Sequence, residues 1–353
     1  MTLAPTGLTG LAVSAVLAVS KTGNFVTDLT SNFWLDLIVK IVLLMGFILT
    51  APLVVGYMEH KVLAHMQHRL GPMYAGRFHG WAQLIADGVK FVQKEDVIPR
   101  AADSWVFTLA PAVVLVPYMA LFVVIPFSKT IWAENLDVGI FYVLAITSVS
   151  VVGILMAGWA SANKFSLIGA LRAAGQLIAY ELPMILTAVA VVMQAGTLSL
   201  VGISEAQHHY WYVLTQPVGF LIFLIASLAE LTRPPFDMPI ADSEIIFGAY
   251  TEYTGLKFAF FLLAEYAGIV AFSAIASVLF LGGYQGIPVL GRVIPGFFWM
   301  SAKIGALSFF IIWLRATYPR LREDQLQRFS WVVLIPVALV DIMATGVVKV
   351  AVK

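Results

Sequence analysis

Six carboxylic acids lie within the 39 residues from Leu228 to Tyr266. The same stretch holds only two cations, Arg233 and Lys257. Crowded carboxyl groups disfavour one another's charged form, so some members of such a set can be neutral near pH 7 and can exchange protons. The pattern therefore indicates proton transfer. The six acids are Glu230, Asp237, Asp242, Glu244, Glu252 and Glu265.

Two acids lie inside apolar segments, Glu265 in one and Glu181 near the start of another. A carboxylate at membrane depth costs ~2.5–3.5 kcal/mol, so it persists when it is protonated, paired or facing water. A solvated loop does not explain these two acids. For residues 237–252, however, a solvated loop is as good an interpretation as proton transfer. Asp341 is a further acid in an apolar stretch, with no evident partner in the sequence.

The composition indicates which class of protein carries these acids. Of the 353 residues 60% are hydrophobic and only 12% are charged, which is too few to cover a soluble domain of this size. The net charge of +1 gives no reason to expect nucleic acid as a partner. The chain has no cysteine, which excludes disulfides, thiolate zinc sites and iron–sulfur ligation by this chain. No histidine spacing indicates a metal site, and we expect none.

Apolar runs predict an all-α fold, a polytopic bundle of about eight transmembrane helices. Each run has about the 20 residues needed to cross a membrane. We interpret residues 1–33 as an N-terminal extension lying on or in the membrane, and 34–353 as one integral-membrane domain. The eight predicted spans are 34–57, 104–126, 138–160, 178–195, 216–232, 257–282, 296–315 and 329–350.

Basic residues predict the orientation. The odd-numbered loops between the spans, with the adjoining helix ends, carry 14 of the 21 lysines and arginines. These loops should therefore face the cytoplasm, with both termini outside. In the first of them, residues 80–94 alternate apolar and polar side chains at helical spacing, which predicts an amphipathic helix in the membrane interface.

Nucleotide-binding motifs are absent. The sequence has no G-x-G-x-x-G after a strand and no G-x-x-x-x-G-K-[ST]. If redox chemistry takes place near this chain, its electrons must come from another subunit.

Four blocks in order resemble one family. The first runs from Glu59 through Lys61, Gln67 and Arg69 to Gly71-Pro72, and continues to Asp87 and Glu95. The others are 163–181, with Arg172 and Glu181; 229–266, which contains Glu230-Leu-Thr-Arg233-Pro-Pro-Phe236-Asp237; and 315–326, with Arg315 and Arg320. Together they resemble the H-subunit family of proton-pumping NADH:quinone oxidoreductase, respiratory complex I, from about residue 34 to 350.

The resemblance implies a membrane subunit of that enzyme, without a complete redox site of its own. It implies a proton path through Glu181, Glu230, Asp242, Glu244, Glu252 and Glu265, with Asp87 and Glu95 near its start. It implies that a quinone chamber or subunit contact involves Arg233, Asp237, Phe236, Glu59, Lys61, Gln67 and Arg69.

The same resemblance implies partners and cofactors. Hydrophilic-arm subunits would surround the quinone site, other membrane-arm subunits would adjoin the chain, and FMN and iron–sulfur clusters would lie in those partners. The substrate would be ubiquinone or menaquinone, no cofactor would be bound by this chain alone, and the location would be a bacterial plasma membrane or an equivalent energy-coupling membrane.

The sequence departs from the family pattern in the acidic loop and in the first block. His60 replaces the usual arginine, Ile240 replaces a glutamate and Asp242 shortens another. Three alternatives stay open: the equivalent membrane protein of a hydrogenase or ferredoxin-linked complex, a stand-alone proton or cation transporter, and a passive membrane anchor. The intact Glu59-to-Pro72 block favours a quinone-type enzyme over a hydrogenase.

Overall fold

The computed structural model describes residues 33–286 and 294–352, and within these ranges the chain is helical without a β-strand. Most of the predicted N-terminal extension, residues 1–32, lies outside the described residues, so the proposed division at residue 33 stays a prediction. The helices are α1 (Phe33–Met66), α2 (Gln83–Gln93), α3 (Ser104–Leu121), α4 (Gly139–Ala160), α5 (Lys164–Ala195), α6 (Leu200–Ala206), α7 (Pro217–Glu230), α8 (Asp242–Ile245), α9 (Gly255–Phe280), α10 (Gly296–Thr317), α11 (Glu323–Arg328) and α12 (Ile335–Val352), with a π-helical turn (Phe329–Leu334) joining α11 to α12.

Seven helical segments of the described chain are long and apolar enough to cross a membrane. They are α1, α3, α4, α5, α9, α10 and the segment Glu323–Ala351, while α7 is apolar but has only 14 residues. A helix satisfies its backbone hydrogen bonds internally, which is why long apolar runs in hydrocarbon fold this way. The eight segments follow the order of the predicted spans, so the predicted helical membrane bundle is confirmed.

Two helices extend well beyond their predicted ends. α1 continues to Met66, although its apolar run stops near residue 57, and α5 begins at Lys164 instead of near 178. The side chain of Asn163 accepts a hydrogen bond from the Phe165 amide (2.9 Å) and caps the start of α5. The added turns carry polar residues, such as Glu59 and Gln176, that are buried inside the protein. A prediction from apolar runs ends the helix at such polar residues, whereas the helix itself continues through them.

Small residues let the central helices approach closely. A Cβ on Gly158 of α4 would lie 2.2 Å from the Ala170 Cβ of α5. At the preceding residue of α5, a Cβ on Gly169 would lie 2.6 Å from the Gly248 Cα of the loop before α9. Small residues at such crossings allow the dense packing on which membrane helices depend. α5 is thereby held between α4 and that loop.

Residues 231–254, between α7 and α9, form a loop that folds back into the bundle, and we call it the acidic loop. Phe236, Met238, Ala241 and Tyr253 are buried. The interpretation of this segment as a solvated loop therefore fits only its outer turn, near Glu244. The loop lies at the ends of the spans that the distribution of basic residues predicts to be cytoplasmic.

The predicted amphipathic helix in the first loop exists as α2, and it lies against α1 and α9. None of its residues is buried, and Ile85, Val89 and Val92 are exposed apolar side chains. Such a face suits the boundary between headgroups and acyl chains. Its placement in the membrane interface remains a prediction.

Candidate functional site

Four charged side chains from four parts of the fold meet in one buried cluster. Arg233, in the loop after α7, places Nη1 2.5 Å from Glu59 Oε2 of α1. Its Nη2 lies 2.8 Å from Glu265 Oε1 of α9, an ion pair without hydrogen-bond alignment. Arg315 of α10 donates to the other oxygen of Glu59. We call these four residues the charge cluster.

The charge cluster is balanced, with two cations and two anions. Arg233 is 1% exposed, and the Glu59 side chain is 3% exposed. Burial alone would lower the pKa of Arg233, but Glu265 and Glu59 outweigh it and raise the pKa above its ordinary value. Arg233 is therefore a permanent cation.

A second ion pair fixes the acidic loop to the segment between α10 and α11. Arg320 donates from Nε to Asp237 Oδ1 (2.6 Å) and from Nη2 to Oδ2 (2.7 Å). This two-point contact matches the planar guanidinium to the planar carboxylate. Next to Asp237, Phe236 is buried against the ring of Tyr180, with centroids 5.2 Å apart.

We expect Arg320→Lys to loosen this loop, because an ammonium keeps the charge but cannot reproduce the two parallel hydrogen bonds. The assembled protein should become more susceptible to proteolysis within 231–254. The matched control is Arg322→Lys, since Arg322 pairs with Asp324 on the exposed surface (3.1 Å). Equal cleavage rates in the two variants would show that the two-point contact does not hold the loop.

Glu244 and Glu252, from the predicted proton path, are also paired. Glu244 lies 2.6 Å from Arg172 of α5, which also contacts Glu323 at 3.3 Å. Glu252 accepts a hydrogen bond from Asn163 (2.5 Å). These contacts attach the second half of the acidic loop to α5 and its N-cap. The helical position of Asp242 is described, but its side chain lies outside the described part of the structure.

Glu230 differs from the other acids of the loop. It is the last residue of α7 and is 3% exposed. Its Oε2 is buried and has no hydrogen-bond partner among the described residues. Glu181 of α5, half-buried, is close enough to interact with it electrostatically. A neutral acid at Glu230 would lower the cost of this burial.

Gln176 of α5 joins these parts of the site. Its Nε2 donates to the carbonyl oxygens of Ala229 and Phe236, both at 2.7 Å. One buried amide thus fixes the end of α7 to the start of the acidic loop. In the chain, Glu230 lies between these two attachment points.

The first loop forms a cleft beside α1. The cleft has a volume of about 510 Å³ and is lined by His60, Leu63, Ala64, Gln67, Arg69, Gly71 and Pro72. Lys61 donates to the carbonyl oxygen of Pro72 (2.5 Å) and so holds the turn that closes it. Gln67 and Arg69 are hydrogen bonded to each other and exposed at its rim.

Asp87 and Glu95, predicted near the start of the proton path, lie apart from the charge cluster's contacts. Asp87 accepts a hydrogen bond from Gln83 (3.0 Å) and pairs with Lys90 (3.4 Å) on α2. Glu95 is exposed after α2, and its backbone oxygen accepts from Thr254 (3.3 Å). The structure does not connect either side chain to Glu230.

Comparison with known proteins decides the family. The sequence profile of a family described as NADH dehydrogenase matches residues 39–346. The H subunit of NADH-quinone oxidoreductase from Dehalococcoides mccartyi (strain CBDB1) is 48% identical over 316 residues, which cover 90% of this chain and 88% of that protein. The chain belongs to the H-subunit family.

Two further H subunits of NADH-quinone oxidoreductase support this membership. That of Geobacillus kaustophilus (strain HTA426) is 45% identical over 291 residues, and that of Bacillus mycoides (strain KBAB4) is 44% identical over 291 residues. In both cases the match covers 82% of this chain and 87% of the relative. The similarity identified from the four sequence blocks is thus confirmed over most of the length.

In this member of the H-subunit family, several residues of the site carry contacts that the sequence did not assign. Arg315, Arg320 and Arg172 stood in the recognised blocks, but no role was predicted for them. Asn163 and Gln176 lay in the second block, and no role was predicted for them either. The available signal was the presence of arginines in the blocks that also hold the acids, since arginine is preferred for buried and two-point carboxylate pairs.

Proposed function

We propose that this chain forms part of the quinone chamber of an NADH-quinone oxidoreductase, together with the first part of its proton path. The observations that carry the proposal are the buried charge cluster and, three residues before Arg233 in the chain, the buried Glu230, whose Oε2 has no hydrogen-bond partner among the described residues. Reduction of a quinone to a quinol consumes two protons and passes through negatively charged species. A balanced set of buried charges can respond to the negative charge, and a buried carboxyl group can supply a proton.

The cleft beside α1 supports the quinone part of the proposal. His60, Gln67 and Arg69 offer polar groups for a headgroup, while Leu63 and Ala64 offer apolar contacts. The exposed apolar faces of α1 and α2 provide a route for an isoprenoid tail from the lipid. Pockets of this kind combine mostly apolar walls with a few placed polar groups.

The proton part of the proposal depends on connectivity. Glu59 and Glu265 contact Arg233 directly, and Arg233 stands three residues after Glu230. A negative quinone species near Glu59 would compete for Arg233 and change the electrostatic potential at Glu230. Glu181 would then be the next carboxyl along α5. Glu244 and Glu252, held by α5 and its N-cap, would shape the path rather than carry each proton.

Electron transfer to the quinone falls to partner subunits. In this proposal hydrophilic-arm subunits with FMN and iron–sulfur clusters dock on the cytoplasmic loops, and further membrane-arm subunits adjoin the bundle. The chain lies in the bacterial plasma membrane with its odd-numbered loops cytoplasmic. The presence of 14 of the 21 cations in these loops supports this orientation.

Affinity purification of this chain from mild-detergent extracts tests the proposal. We expect co-purification of flavin- and cluster-containing subunits and of other membrane subunits, with NADH-dependent quinone reduction in the purified complex. Co-purification of hydrogenase subunits without quinone reductase activity would overturn the quinone part. A chain that purified alone and drove cation flux in liposomes would overturn the whole proposal in favour of a transporter.

A further inference from the structure

Asp341 lies in α12, in a part of the bundle that the proposed quinone site does not use. α12 packs on α5 and α7. A Cβ on Gly219 of α7 would lie 2.9 Å from Asp341 Oδ2. The absence of a side chain at Gly219 therefore gives the carboxyl group its room between the two helices.

Two buried acceptors in this region lack a donor. Asp341 Oδ2 and Gln216 Oε1 are both buried without a hydrogen-bond partner among the described residues. Gln216 is 3% exposed, and its Nε2 donates to Ala190 O and Thr345 Oγ1, both at 3.2 Å. An unsatisfied buried acceptor is costly, and its usual partner is a proton donor such as water or a protonated acid.

The two acceptors lie close together along the helices. Thr345 donates to the Asp341 carbonyl oxygen at 2.8 Å, so it stands one turn beyond Asp341 on α12. Gln216 contacts Thr345, and a Cβ on Gly219, three residues along α7, would contact Asp341 Oδ2. One helical turn is about 5.4 Å. We therefore expect a protonated Asp341 and one water molecule to bridge the separation, about one turn, to Gln216.

Hydrogen bonds at both ends of α12 fix the level of Asp341 in the bundle. Ser330, just before α12, donates to Ala179 O (2.5 Å) beside Glu181, and Lys349 donates to Met193 O near the far end of α5. Asp341 lies between these contacts, farther than Glu181 from the predicted cytoplasmic side. Beyond it, Gln194 and Thr215 hydrogen bond at the exposed outer end (2.9 Å).

The titratable groups on the surrounding elements are few. Besides Asp341, the titratable groups on these three helices are Lys164, Arg172, Tyr180 and Glu181 on α5, Glu230 at the inner end of α7, and Lys349 on α12 itself, about 12 Å along the helix axis from Asp341. Lys349 is bonded to carbonyl oxygens of α5 instead of to Asp341. No described cation pairs with Asp341, so its charged form would stand alone in an apolar region. The neutral acid avoids that cost.

We propose that Asp341 and Gln216 form a proton-holding site on the outward side of Glu181, from which protons pass to the outer surface along α12. In each passage the Asp341 O–H bond breaks and the proton moves to water near Thr345 and Gln194. The remaining carboxylate then takes a proton from the inner side, and no electron moves. The inference rests on the proposed proton function of the chain.

Labelling of the purified complex with a hydrophobic carbodiimide tests the site without any substitution. Dicyclohexylcarbodiimide adds to protonated carboxyl groups in apolar surroundings, and mass spectrometry locates the adduct. We expect an adduct on Asp341 that declines as the pH is raised, and none on the exposed Glu134 of an outer loop. An unlabelled Asp341 at mildly acidic pH would overturn the proposal.

Variants separate this inference from the proposed function. Asp341→Asn, which keeps the shape of the neutral acid, should assemble but lose most of the proton ejection by reconstituted complex, and Asp341→Glu should restore part of it. Gly219→Ala should weaken labelling of Asp341, whereas Gly305→Ala should not, because nothing lies within 4 Å of a Cβ there. Normal ejection in Asp341→Asn, with ejection abolished in Glu230→Gln, would remove this site and leave the proposed function standing.

Discussion

Replacing Arg233 with alanine is expected to destabilise the protein by about 3–5 kcal/mol, the usual cost of leaving a buried charge without its partner. Glu59 would retain Arg315, while Glu265 would lose the cation that it contacts in the charge cluster. The ring of Tyr266, 5.1 Å from the guanidinium carbon, would also lose its cation. Less assembled complex should accumulate in membranes, and quinone reduction per complex should fall.

The matched control is Arg322→Ala, which removes an exposed arginine from a surface pair whose contribution to stability is about 0–1 kcal/mol. Thermal unfolding of the solubilised complex measures the destabilisation, native gels measure the quantity of assembled complex, and quinone reduction is assayed per complex. Comparable losses in the two variants would deny the charge cluster any special role.

A double-mutant cycle makes this test sharper. Glu59→Gln and Arg233→Met each leave an unbalanced charge, whereas the double variant removes one charge of each sign. Neighbouring residues of one ion-pair network couple by about 0.5–3 kcal/mol. The double variant should therefore be less destabilised than the sum of the single variants. Simple additivity would mean that the 2.5 Å contact between the two residues contributes little.

The apolar stretches could be predicted because hydrocarbon accepts few alternatives to a helix. The ends of α1 and α5 could not, since the Glu59 carboxylate and the Gln176 amide nitrogen find their partners inside the protein, on residues 174 and 53 positions away. A pattern within a short stretch of sequence carries no information about partners so far away in the chain. For the same reason the acids of the loop could be recognised as a set, while their different states could not.

The acidic loop shows this limit most clearly. By composition Glu230 and Glu244 are equivalent, and the family resemblance placed both on the proton path. In the structure Glu244 is exposed and paired with Arg172, whereas Glu230 is buried with one oxygen unpartnered among the described residues. What separates them is the packing of α5 against α7 and the loop, which depends on the whole bundle.

From this difference we expect Glu230→Gln to lower coupled quinone reduction and proton ejection by about 100-fold, a usual loss when a positioned proton-transfer group is removed. Glutamine has the shape of the neutral acid and can keep the contacts of α7, so assembly should change little. Glu181→Gln should have an effect in the same direction, because the two carboxyl groups interact.

The comparison variant is Glu244→Gln, which removes a carboxylate from an exposed ion pair and should reduce the same rates by less than about threefold, since such pairs contribute about 0–1 kcal/mol. Rates are measured per assembled complex in proteoliposomes, with NADH oxidation and proton ejection followed together. Full activity in Glu230→Gln would show that its buried carboxyl carries no protons. A large loss in Glu244→Gln would instead place the path along the exposed edge of the acidic loop. The burial of Glu230, which in the chain lies between the two residues that Gln176 holds, argues for the inner route, because there a proton can be exchanged without solvent competing for it.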